Sequence, residues 1–186
     1  MVKSNLKTIF TLTVIALLGV GVWSCKDDEE DNKGNSGNSG TGGGTAVYVD
    51  LGLTSGTKWR SENEMNPADA KQGLYTFDDA YAAFGDKLPT KEQIKELVDE
   101  CQWVWTGKGY NVDGPNGNSI YLPAAGVRNC EDSLGGVGVH GIYWSSMRDT
   151  NNSYSQTAWC GYYTYNNIYV KTRPCCYGGC ARLVQD

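Results

Sequence analysis

The sequence predicts an α+β fold with two short helices and several short antiparallel strands. Three observations carry this. The 186 residues include 24 glycines and 12 tyrosines, a combination that suits tight turns and short strands better than a helical bundle. Two segments, beginning at Thr76 and Thr90, carry helix-start signals. The last third, from Gly141 to Val184, sets aromatic and β-branched runs between loops of Asn, Ser, Asp and Gly, the pattern of strands joined by turns. Hydrophobic residues make up 40% of the chain, enough for one packed core at this length.

Residues 1–24 read as a signal peptide. Lys3 and Lys7 precede an apolar run from Ile9 to Trp23, shorter than the about 20 residues a spanning helix needs. The run ends in Val22-Trp23-Ser24-Cys25, which resembles a lipoprotein signal, with Trp23 where a small residue is usual. The resemblance implies that Cys25 carries diacylglycerol and becomes the mature N-terminus. The membrane is then a partner through the lipid anchor. A linker follows over residues 25–45. Its opening, Lys26-Asp27-Asp28-Glu29-Glu30-Asp31, resembles the export signal of surface-exposed lipoproteins in some Gram-negative lineages. That implies an outer-membrane protein displayed at the cell surface. Residues 34–45 are almost wholly Gly, Ser, Asn and Thr, a flexible tether with a reach of ~25 Å.

The folded domain spans residues 46–186. Ala46 to Leu53 reads as a strand, Thr54-Ser55-Gly56-Thr57 as a turn, and Lys58-Trp59 as a second strand. Thr76-Phe77-Asp78-Asp79 has the form of a capping box, with a helix to about Phe84 and Gly85 to end it. Thr90 and Gln93 form a second box. Ile94, Leu97, Val98 and Cys101 follow at i, i+3, i+4, i+7, one apolar stripe. Glu92, Glu96, Asp99 and Glu100 are expected on the solvated face rather than as catalytic carboxylates. Trp103-Val104-Trp105 reads as a strand. Tyr110 to Val112 and Ser119 to Pro123 read as a hairpin across Asp113-Gly114-Pro115-Asn116-Gly117. Ala124-Ala125-Gly126 permits close backbone packing, and residues 129–140 read as a Gly-rich loop. Strands are expected at 141–146, roughly 155–165, 168–172 and 181–185. Trp59 and Trp144 are assigned to the core.

Val49-Asp50-Leu51-Gly52-Leu53, Leu88-Pro89-Thr90, Asn118 to Gly126 and Tyr143-Trp144-Ser145-Ser146 together resemble the FISUMP-type paralogous domain of bacterial surface lipoproteins. The closing Gly178-x-Cys180-Ala181-Arg182-Leu183-Val184 is similar to that family's terminal Gly-x-Ser-Val-Arg-Leu-Val, with departures at Cys180 and Ala181. The resemblance covers residues 46–186. It implies a C-type-lectin-like fold, distantly related to that of formylglycine-generating enzymes, and no fixed activity.

The chemistry-bearing residues argue against an enzyme. His140 is the only histidine, and no Gly-x-Ser-x-Gly elbow accompanies Ser145 or Ser146. Cys175, Cys176 and Cys180 lack the pairing of a zinc site. The cysteines do not match the oxidative motif of formylglycine-generating relatives, and the calcium-binding triplets of sugar-binding C-type lectins are absent. No metal or cofactor is expected. A formal charge of −5 without a Lys/Arg cluster argues against nucleic acid as a partner. Setting Cys25 aside leaves Cys101, Cys130, Cys160, Cys175, Cys176 and Cys180, an even number that permits disulfides in an exported protein. One or two bridges are expected, but not between the adjacent Cys175 and Cys176.

The candidate ligand-binding residues are Tyr154, Trp159, Tyr162, Tyr163, Tyr165, Asn166, Asn167 and Tyr169. They offer rigid amphipathic area with polar tips, and strand alternation turns about half of them inward. Residues 147–180 read first as an ordinary Asn-, Ser- and Tyr-rich region. They read second as a segment varied by a diversity-generating retroelement, for which this fold is also a display scaffold. Both readings nominate the same surface for a glycan or protein ligand. A structural subunit of the cell envelope or of fimbriae is the alternative function, and an enzyme of the formylglycine-generating fold comes third.

Overall fold

The computed structural model describes residues 46–69, 72–151 and 156–186. The signal peptide, Cys25, the linker and Tyr154 lie outside the described residues. The protein is α+β, mostly sheet with two short helices. In chain order the elements are β1 (Tyr48–Asp50), β2 (Lys58–Arg60), α1 (Phe77–Phe84), α2 (Lys91–Glu100), β3 (Gln102–Trp105), β4 (Gly109–Asp113), β5 (Ser119–Pro123), β6 (Ala125–Arg128), β7 (Leu134–Val137), β8 (His140–Arg148), β9 (Thr157–Thr164), β10 (Asn167–Pro174) and β11 (Val184–Gln185). They form three sheets, ordered β1-β2-β11, β10-β9-β8-β6-β7 and β3-β4-β5.

The central strand is β8. Its run Gly141-Ile142-Tyr143-Trp144-Ser145 is buried throughout, as befits a strand covered on both faces. Alternation sends Ile142 and Trp144 one way and Tyr143 the other. On one side Tyr143 and Tyr163 join Ile94 and Leu97 of α2, Trp59 of β2 and Leu122 of β5. On the other, Ile142, Trp144, Ala158 and Cys160 pack with Phe77 and Ala80 of α1 and with Leu183. Trp59 and Trp144 are both core residues, as expected.

Both helices start where the capping signals place them. The Thr76 side chain accepts from the Asp79 amide at 3.2 Å. Thr90 accepts from the Gln93 amide at 3.1 Å, and Gln93 returns the bond to the Thr90 amide at 2.9 Å. Removing this reciprocal cap by Thr90→Ala should cost about 1 kcal/mol of stability, read as a shifted urea midpoint. An unchanged midpoint would show that α2 is held by packing alone.

Several expectations need correction. The segment 129–140 is not one loop: β7 lies within it, paired antiparallel with β6, and His140 opens β8. Glycines at Gly135 and Gly136 hid a strand that carries little side-chain signal. The β6–β8 pairing is parallel, through Gly126 and Gly141. Gly126 has φ +80°, and a Cβ there would stand 2.6 Å from the Gly135 carbonyl oxygen, so close packing at Ala124-Ala125-Gly126 does require glycine. The outward carboxylates of α2 are not all free in solvent. Glu100 accepts from the Thr54 amide at 2.9 Å, and Glu96 from the Ser55 amide at 2.7 Å and the Ser55 hydroxyl at 2.6 Å. They fasten the β1–β2 turn to the helix.

One disulfide joins Cys130 to Cys176, across 46 residues. It ties the β6–β7 connection to the segment after β10. Arg128, two residues before Cys130, forms an ion pair with Asp69. Burial pushes the Asp69 carboxyl up, but the Leu74 and Gln72 amides and Arg128 outweigh it and hold the group below the usual carboxylate value.

Candidate recognition face

Strands β9 and β10 form a hairpin, paired without interruption from Thr164–Asn167 to Thr157–Pro174. Tyr165 and Asn166 make the connection. Directly opposed residues share a face, so the register sorts the aromatic residues. Trp159, Gly161 and Tyr163 face α2, with Ile168 and Val170 of β10. The opposite face carries Ala158, Cys160 and Tyr162, with Tyr169, Lys171 and Arg173 across from them. α1 covers the Ala158–Cys160 end of that face, leaving the end with Tyr162 and Tyr169 more open.

The candidate residues separate accordingly. Tyr165 is 61% exposed and Tyr169 44%. Asn166 and Asn167 are exposed at the hairpin tip, where Asn166 Oδ1 accepts from the Thr164 hydroxyl at 3.0 Å and from Asn167 Nδ2 at 2.6 Å. Tyr162 is half-buried and lies nearly parallel to Tyr169, with ring centroids 6.3 Å apart at 21°. Trp159 is half-buried on the α2 side, with the Lys91 ammonium 4.7 Å from its ring centroid. It lines a groove of about 530 Å³ with Val98, Ile168 and Val170. Tyr163 must be withdrawn from the candidate set. It is 1% exposed, and its hydroxyl donates to the carbonyls of Leu122, at 3.1 Å, and of Pro123. It is an inward position of the alternation and belongs to the core.

Three side chains that the sequence reading did not nominate complete this face. The Lys171 ammonium stands 3.8 Å from the Tyr162 centroid and 4.9 Å from that of Tyr169. Arg173 Cζ is 4.7 Å from the Tyr162 ring, and the His140 ring is 5.8 Å from it. Each cation–π contact contributes about 0.5–1 kcal/mol at an exposed site. Burial and the neighbouring Arg173 both lower the His140 pKa from its ordinary value. Lys171 is lowered by the same two causes, partly offset by Cys160. A Cβ at Gly136 would overlap the His140 imidazole, so β7 gives the ring its place. The signal for the two cations was present in the sequence: Tyr169, Lys171 and Arg173 recur at every second position of an edge strand.

A second concavity, of about 660 Å³, lies between β5, β7 and the segment after β2. Arg182 borders it, 1% exposed. Its guanidinium donates to Asn63 Oδ1 at 2.8 Å, the Arg60 carbonyl at 2.8 Å and the Tyr121 carbonyl at 2.7 Å. Every acceptor is neutral, and each is a piece of framework.

The residues weighed for catalysis do not converge. His140 and Ser145 both lie on β8, five residues or ~17 Å apart along an extended strand. The Ser145 hydroxyl donates to the Trp159 carbonyl at 2.8 Å, at the register shift between β8 and β9. Burial pushes the Cys160 and Cys180 thiols up to about 12, and burial with nearby carboxylates takes Cys101 to about 11. Such thiols carry little thiolate at neutral pH. Among the described residues no group of His, Cys, Asp and Glu could hold a metal ion, and no helix is long and apolar enough to cross a membrane. No family model, curated protein or solved structure matches the chain.

Proposed function

We propose that this chain is a lipid-anchored, surface-displayed lipoprotein whose C-type-lectin-like domain, of the FISUMP type, recognises a glycan or protein non-covalently. The observation that carries the recognition reading is the outer face of the β9–β10 hairpin. Tyr165 and Tyr169 stand exposed there, and Tyr169 is held parallel to Tyr162 beneath Lys171. Rigid aromatic rings on paired strands bind with little ordering cost. The fold class and the motif order support the lectin-like assignment, and the signal and tether support the anchor.

An array of glycans and proteins, probed with the full-length chain and a Tyr165→Ala/Tyr169→Ala variant, tests the recognition reading. The expected result is at least one ligand retained by the parent and lost by the variant. Ligands held equally by both would place recognition elsewhere. The anchor is tested separately. Cys25→Ala should move the protein from the membrane fraction to the soluble one, and continued membrane association would sink the lipoprotein assignment.

A second reading has one observation in its favour. β10 is the edge of its sheet and eight residues long, so it could pair with a strand of a neighbouring subunit in an envelope or fimbrial assembly. Lys171 and Pro174 on that edge work against such pairing, which leaves recognition as the preferred reading.

A further inference from the structure

We propose that the outer face of β9 and β10 binds a sugar bearing one acidic group, a carboxylate or a sulfate ester, held by Lys171 and Arg173 beside the Tyr162–Tyr169 pair. The proposal rests on the recognition reading and narrows its ligand.

Two cations and a histidine share this face with no acid among them. Arg60, Lys91, Lys95, Arg128 and Arg148 each lie against a carboxylate. Among the described residues no ion pair joins Lys171 or Arg173 to an acid, and the same holds for Lys58, Lys87, Lys108 and Arg182. Lys171, Arg173 and the His140 ring gather around one tyrosine. Arg173 Nε is buried and has no hydrogen-bond partner, so its desolvation is offset by no hydrogen bond, only by the contact of the guanidinium with the Tyr162 ring. Like charges so placed repel, and burial first, then the neighbouring Arg173, lower both Lys171 and His140 from their ordinary values. An anion on this face would supply the missing counter-charge to Lys171 and Arg173.

Two further facts choose the kind of anion. The whole chain carries −5, which repels an extended polyanion at long range. A ligand with one acidic group meets the local cations without that penalty. The Tyr169 ring is 44% exposed with the Lys171 ammonium over it, 4.9 Å from its centroid, and an exposed flat ring packs against the apolar face of a pyranose. Cation and ring together match an acidic sugar better than an acidic peptide.

The test is calorimetric titration of the full-length protein in detergent. The probes are sialyllactose for a carboxylate, sulfated lactose for a sulfate ester, unmodified lactose, and triglutamate. At least one acidic sugar should bind about tenfold or more tightly than lactose, and the tighter of the two identifies the acid. Lys171→Gln should weaken that binding about tenfold, whereas Lys171→Arg should preserve it. Equal binding of lactose, triglutamate binding as tightly as the sugars, no binding at all, or indifference to Lys171→Gln would each overturn the proposal. The two readings fail differently. A ligand lost with Tyr169→Ala but unaffected by Lys171→Gln removes the acidic sugar and leaves recognition standing. If no array ligand depends on Tyr169, both are lost.

Discussion

Replacing Arg182 with Met is expected to destabilise the domain by about 3–5 kcal/mol. Met keeps much of the volume and removes the guanidinium. Three acceptors then lose their donor: Asn63 Oδ1, the Arg60 carbonyl and the Tyr121 carbonyl. Each orphaned acceptor is part-buried and costs up to about 1–3 kcal/mol, and relief from burying a cation offsets part of the sum. The three partners come from β2, the segment after it and β5, so one side chain near the C-terminus closes contacts that span most of the domain. Arg182→Lys should be nearly as damaging, because a single ammonium cannot direct donors along the separate lines of the planar fork. Urea denaturation measures both variants. A loss below about 1 kcal/mol for Met would show that the acceptors find water and that Arg182 is not a framework pin.

Trp144→Ala should cost a comparable amount, about 3–5 kcal/mol. The ring is 0% exposed and meets the edge of Phe77 at 5.7 Å. Its Nε1 donates to the Tyr75 carbonyl at 2.9 Å. Deleting it leaves a cavity between α1 and β8 and takes one of two hydrogen bonds from the Tyr75 carbonyl, which still accepts from the Gly179 amide at 2.9 Å. Trp144→Phe should recover most of the packing but not the hydrogen bond, costing about 1–2 kcal/mol. Thermal denaturation of the pair separates the two contributions. Equal losses would assign the whole effect to the hydrogen bond. Because β8 backs β9, the alanine variant should also loosen the recognition face.

Much of this architecture was legible because local signals and burial agreed. Thr90 with Gln93, and Thr76 with Asp79, mark helix starts through side chains that satisfy specific amides. The run at Ile142-Tyr143-Trp144 marked a strand with Trp144 in the core, and the structure covers it on both faces. β7 was not legible, because Gly135 and Gly136 replace strand-forming side chains with backbone approach. The clamp of Glu96 and Glu100 on the β1–β2 turn was also invisible: a carboxylate on a helix face looks the same in sequence whether water or a distant amide receives it. At the recognition face, aromatic content nominated the hairpin but could not separate Tyr163 from Tyr162. One residue of register sends them to opposite faces, and only the pairing with β10 fixes which is outward. Lys171 and Arg173 were passed over because lone cations on a strand ordinarily find surface acids, whereas here they converge on one ring.

The most direct measurement is tyrosine nitration of the full-length protein with and without a captured ligand, read by peptide mass spectrometry. Tyr165 and Tyr169 are exposed on the hairpin, while Tyr121, 41% exposed, borders the concavity beside Arg182. The account predicts that ligand shields Tyr165 and Tyr169 and leaves Tyr121 reactive. Shielding of Tyr121 with the hairpin tyrosines still open would contradict it and move recognition to the other concavity.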